Sequence, residues 1–108
     1  MSVSTSPKVT VGPGVPEFLR KHDAEGALPT ICEIIRECFP QAVAIETLLE
    51  EDYDEPGWWQ VVVVITLPAS VSTDVCHEQH KRYHELRSER IPHAQNSLFV
   101  TIRKYQPE

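Results

Sequence analysis

Three histidines spaced His77-x-x-His80-x-x-x-His84 come closest to a chemical signature in this chain. At 3.6 residues per turn they fall within an arc of about 60° on a helix, so successive imidazoles are neighbours on one face. An i to i+4 pair such as His80 and His84 can chelate zinc or a similar transition metal, and His77 adds a third nitrogen. A fourth ligand is missing from the pattern, and so is the His-Glu-x-x-His arrangement that would place a general base beside the metal. The flanking residues, Glu78, Gln79, Lys81 and Arg82, are those of a solvated helix face. A hydrated face is therefore the leading reading, with a metal site at His77, His80 and His84 as the alternative. The ordinary imidazole pKa of about 6.5 adds a third use, because mild acidification would charge close neighbours and weaken the helix or anything docked on it.

A second cluster is acidic. Glu46, Glu50, Glu51, Asp52, Asp54 and Glu55 fall within ten residues that contain no base. A calcium loop needs oxygen ligands at fixed offsets, a central glycine and a distal bidentate glutamate, which Asp52-x-Asp54 lacks. No glycine-rich phosphate loop precedes the pair, so a nucleotide-metal site is not indicated. The leading reading is a hairpin tip kept soluble by its charge, with docking of a basic partner as the alternative. Nucleophilic chemistry has less support still: Cys76 and His77 adjoin in sequence but diverge by about 100° on a helix, and no Gly-x-Ser-x-Gly occurs. Catalysis is not expected.

The elements that would carry these residues follow from periodicity. Leu28, Ile31, Ile34, Ile35 and Cys38 form one helical stripe, opened by Pro29 in its first turn and stopped by Pro40. Residues 42 to 50 alternate as a strand, with Val43, Ile45, Thr47 and Leu49 on one side. The run from Trp58 to Leu67 is β-branched and aromatic, and pairs with that strand across a long charged loop. Ser70 or Ser72 caps a second helix reaching about Arg90, with Val71, Val75, Tyr83 and Leu86 on its apolar side. Leu98 to Tyr105 alternates again, and Lys8-Val9-Thr10-Val11 could add an edge strand. The expected fold is α+β, two helices on a small, mostly antiparallel sheet of three or four strands. Its order is (β)αββαβ, which with the first strand present is the split ferredoxin-like pattern. Residues 1–14 read as a flexible tail before a single domain over 15–108.

The chain has 108 residues, 41% apolar and 24% charged, with a formal net charge of -6. That is one globular domain, and its longest apolar run, Val61 to Ile65, is far short of a membrane span. The start lacks a secretory pattern, so a cytoplasmic location is expected. Cys32, Cys38 and Cys76 form no Cys-x-x-Cys and are odd in number, which reads as reduced, buried thiols. The acidic balance argues against nucleic acid, whose non-specific binding comes from Lys and Arg. Aromatics on a sheet also suit base stacking, but the basic segments for it are missing.

Adjacent residues of a strand point to opposite faces, so Trp58 and Trp59 cannot share one core. Parity puts Trp59 with Val61, Val63, Ile65 and Leu67 against the helices. It leaves Trp58, Val62 and Val64 on the other face, which Leu48 and Phe99 extend and which is too apolar to stay in water. Either one helix packs on each face, or the N-terminal segment folds across it, or the face is a contact. The contact reading gives a small interaction domain, a homo-oligomer or the acidic partner of a basic protein. Trp58, Val62, Val64 and Phe99 would be buried, with Asp52, Asp54 and Glu55 at the rim setting orientation.

Overall fold

The protein is described by a computed structural model over residues 7–107. Four strands, β1 (Lys8–Val11), β2 (Ala44–Glu51), β3 (Trp59–Leu67) and β4 (Phe99–Tyr105), form one sheet in the order β1-β2-β3-β4. The helices are α1 (Val15–Lys21), α2 (Ala27–Cys38), α3 (Thr73–Arg90) and the single-turn α4 (His93–Asn96). The long helices start and stop where local chemistry dictates. Ser72 caps α3 by accepting from the Val75 N–H at 3.2 Å. Pro92 follows the Ile91 cap of α3, and Pro40 follows the Phe39 cap of α2.

The α+β class is as expected, but the short helices α1 and α4 join the two expected ones, and the strand pairing differs. β1–β2 and β3–β4 are parallel, and only β2–β3 is antiparallel, so the sheet is mixed rather than mostly antiparallel. In a split pattern a strand separates the two that a helix connects. Here each helical crossover returns the chain beside the strand it left. The tail expected over 1–14 is also revised: residues 1–6 lie outside the described residues, whereas Lys8–Val11 is β1. A four-residue strand holds because its parallel partner supplies the bonds, including Lys8 N–H to Val43 O at 3.2 Å and Gly12 N–H to Thr47 O at 2.8 Å.

From β1 to β2 and from β3 to β4 the chain crosses the sheet in the same direction, while the strands run in opposite senses. Two right-handed crossovers would then place their helices on opposite faces. Instead α2 and α3 pack on each other: Gln79 Nε2 donates to Gln41 at 2.9 Å, Arg90 donates to Glu37 at 2.9 Å, and the Phe39 and Tyr83 rings meet edge-on at 5.7 Å. One crossover therefore has the rarer left hand, and both long helices share one face.

Under that layer lies the core. Ile31, Ile34 and Ile35 of α2 and Tyr83 and Leu86 of α3 bury the β2 and β3 side chains Ile45, Val61, Val63, Ile65 and Leu67. On α3 the inward stripe is Cys76, Tyr83, Leu86 and Arg87, and Val75, expected on the apolar side, is exposed. The stripe through Cys76, Tyr83 and Arg87 follows steps of seven and four, which turns Val75 outward.

Gly12 ends β1 where the chain passes close to β2. A Cβ there would sit 2.6 Å from the Thr47 carbonyl oxygen, which is backbone and cannot swing away. Gly12→Ala is expected to lower stability by about 1–3 kcal/mol through overpacking, measured as a shift in the urea midpoint. An unchanged midpoint would show that β1 is not held against β2.

Candidate functional site

Among the described residues no element covers the face of the sheet opposite the helices, and residues 1–6 of the N-terminal segment that could fold across it lie outside the described residues. Its cross-strand rows follow from the register: Lys8, Ala44, Thr66 and Lys104; then Thr10, Glu46, Val64 and Ile102; then Leu48, Val62 and Val100; then Glu50 and Gln60. Val62 is screened by its neighbours, Leu48 and Val64 are half-buried, and Val100 and Ile102 are 38% and 49% exposed. The middle rows carry the aliphatic Leu48, Val62, Val64, Val100 and Ile102 on β2, β3 and β4, with Thr10 and the exposed Glu46 on the β1 side; one end row carries two lysines, and the far end leads into the acidic hairpin.

Parity through β3 places Val62 and Val64 on this face as expected, but Phe99 is not there. It pairs with Val61, is 5% exposed and belongs to the core. Its strand turns inward the side carrying Thr101 and Arg103, because α3 satisfies both. The Tyr83 hydroxyl lies 2.7 Å from Thr101 Oγ1, and the Arg103 guanidinium donates to the Cys76 carbonyl at 3.4 Å and lies 3.1 Å from its sulfur. Val100 and Ile102 take the outward places.

Trp58 precedes β3, outside the paired rows of the face opposite the helices, and the two indoles are not divided between the faces as strand alternation predicts, because both reach one hollow. Trp58 and Trp59, each 45% exposed, line a hollow of about 540 Å³ with Phe18, Lys21, His22 and Leu98. The neighbouring acids partly build their own turn. Asp52 Oδ1 accepts from the Asp54 N–H at 2.8 Å and the Glu55 N–H at 3.3 Å, and Glu51 accepts from Gly57 N–H at 2.9 Å. Gly57 has φ 91°, a conformation suited to glycine. Asp54 and Glu55 are exposed beside that scaffold.

The histidines lie on the flank of α3 facing β4. His80 and His84 meet, Nε2 to Nε2 at 2.8 Å, with rings edge-on and centroids 4.4 Å apart. No hydrogen bond joins His77 to them, and among the described residues no group of three or more His, Cys, Asp or Glu is arranged to hold a metal. One ring donates to the other, and the His80 Nδ1 is buried without a partner. Burial foremost, then the charges of His84, Arg103, His77 and Arg87, pushes His80 down to about 4. His84 is lowered by burial and by Arg87 and Arg103.

Arg87 carries no sequence signal except its place four residues after Tyr83 on the inward stripe. Although charged, it is 3% exposed. Its guanidinium donates to Asn96 Oδ1 at 2.7 Å, Asn96 O at 3.0 Å, Thr101 Oγ1 at 3.0 Å and Phe99 O at 3.1 Å. Leu98 O is taken by Val61 N–H, so the next carbonyl, Phe99 O, faces away from β3, and Arg87 satisfies that one carbonyl of the edge strand. Cys32, Cys38 and Cys76 are free and buried, as expected.

Comparison with protein-family models, curated proteins and solved structures returns no match. No helix among the described residues is long and apolar enough to cross a membrane.

His80 ties stability to pH. The unfolded chain takes up a proton near pH 6.5 that the folded ring refuses until about 4. Its contribution is therefore complete above pH 6.5 and is lost as the pH falls through that window. The Tm is expected to drop between pH 6.5 and 4 more steeply in the wild type than in His80→Gln, a comparison that cancels the carboxylates. Parallel slopes in the two proteins would show that His80 protonates freely in the folded state.

Proposed function

We propose that the protein works by association through the sheet face opposite the helices, as a homodimer with no reaction of its own. The observation carrying this reading is the order of the rows: Lys8 and Lys104 at one end, an aliphatic patch of Leu48, Val62, Val64, Val100 and Ile102 in the middle with Thr10 and Glu46 at its β1 side, and Glu50 with the hairpin acids at the other end. Such a face is complementary to a second copy of itself. A two-fold axis between the sheets and perpendicular to the strands lays the lysine row of one chain over the acidic end of its partner, twice. Leu48, Val64, Val100 and Ile102 then leave water, and the charges set orientation and encounter rate.

Four strands about 4.8 Å apart and about seven residues long give a face of about 20 by 23 Å. Two such faces bury on the order of 1,000 Å², the lower limit for a specific interface. The dimer is therefore reversible, with a Kd on the order of micromolar to tens of micromolar. Asp52, Asp54, Glu55 and Trp58 lie at its margin, and Phe99, being core, has no part in it.

Sedimentation equilibrium from micromolar to millimolar protein tests this. The wild type is expected to pass from monomer to dimer. Ile102→Lys and Val64→Lys, on the face away from the core, stay monomeric with unchanged far-UV circular dichroism. Lys104→Glu weakens the dimer by setting like charges together, and added salt weakens the wild type. A wild type that stays monomeric throughout, or a dimer indifferent to both lysine substitutions, overturns the reading. So does a chain that stays monomeric and engages only a basic protein through its acidic hairpin.

A further inference from the structure

We infer that His80 and His84 form a two-nitrogen chelate for a divalent transition-metal ion that takes its ligands at right angles, of the Cu²⁺ or Ni²⁺ type, rather than for tetrahedral Zn²⁺. The pair sits on the α3 flank facing β4, apart from the proposed contact face, so this assignment does not depend on dimerisation.

The geometry is set by the bite. The two Nε2 atoms are 2.8 Å apart. With metal–nitrogen bonds of about 2.0 Å, that separation subtends about 90° at the metal, whereas a tetrahedral angle needs about 3.3 Å. Right-angle ligation by nitrogen and oxygen suits square-planar or tetragonal ions. The i to i+4 spacing makes the two rings neighbours on one helix face, and their rotamers bring the Nε2 atoms to that separation. Without one the nitrogens face each other across a shared hydrogen. Turning each lone pair by about 45° aims both at one point, and exposed His84 opens that point to solvent. Coordination through both Nε2 atoms requires the donating ring to move its proton from Nε2 to its own Nδ1, so each ion taken up displaces a hydrogen bond rather than filling a vacant cage.

The surroundings limit the affinity. Among the described residues no third side chain completes the set, so water fills the other positions. His80 Nδ1 has no partner to anchor its ring, the support that metal-bound imidazoles ordinarily have. Arg103 and Arg87 add like charge close by. The site is therefore modest in affinity and open to an exogenous ligand.

The test is titration of the full chain with Cu²⁺, and separately with Co²⁺, in a non-coordinating buffer at pH 7.5. Calorimetry is expected to show one equivalent per chain, with a Cu²⁺ electron-spin resonance spectrum of two nitrogen donors. His84→Gln, at an exposed position, is expected to weaken binding by about tenfold or more, since even indirect loss of ligand support costs that much. His77→Gln leaves it unchanged. The Co²⁺ form is expected to show the weak visible absorption of a six-coordinate ion. Stoichiometric Cu²⁺ binding that survives His84→Gln, equal loss with His77→Gln, no binding, or the intense bands of tetrahedral Co²⁺ each overturn the assignment.

Discussion

The protein's organisation depends on the placement of both long helices on one side of a four-stranded sheet. With the strands in consecutive order and the two parallel pairs running oppositely, crossovers of the same hand would have covered both faces. The contact between α2 and α3 shows that the hands differ. One face then holds a dry core of Ile, Val and Leu, and the other is left with Leu48, Val64, Val100 and Ile102 in contact with water. The proposed association depends on this asymmetry, because a helix on the second face would have buried the same residues within one chain.

Much of the fold is legible in the sequence. The helical stripe from Leu28 to Cys38 and the alternation about Ile45 and Val63 are strong because the residues concerned are apolar and face one core. Parity through neighbouring tryptophans places Val62 and Val64 correctly for the same reason. The crossover hand and the parallel pairing leave no mark, since a strand with the same inward and outward residues can sit beside either neighbour. β1 was too short for periodicity to identify, and its place rests on bonds to β2 and on the close approach at Gly12.

The fourth strand shows where a hydrophobicity argument loses direction. Its two sides carry Phe99, Thr101 and Arg103 on one and Val100 and Ile102 on the other, and apolar content alone favours burying the second. The fold buries the first because Tyr83, Cys76 and Arg87 satisfy its polar members. Polar groups with partners are compatible with a core, and the cost of burial falls on those without them. Arg87 is the extreme case, a guanidinium whose donors tie α3 to α4 and β4. The candidate site is accordingly half legible: the sequence names the histidines, the outward Val62 and Val64 and the hairpin acids, but only the register orders the face into a lysine end, a middle of aliphatic side chains beside Glu46, and an acidic end.

The claim that most needs a direct test is that Ile102 and its neighbours meet a second chain rather than a helix of their own. Isotope-filtered nuclear Overhauser spectroscopy on a one-to-one mixture of labelled and unlabelled protein, at millimolar concentration, reports that contact. Intermolecular effects from the Ile102 methyls to Leu48, Val62 or Val64 methyls are the predicted result. Effects from Ile102 to α3 of the same chain, or no intermolecular effect from this face, would contradict the account.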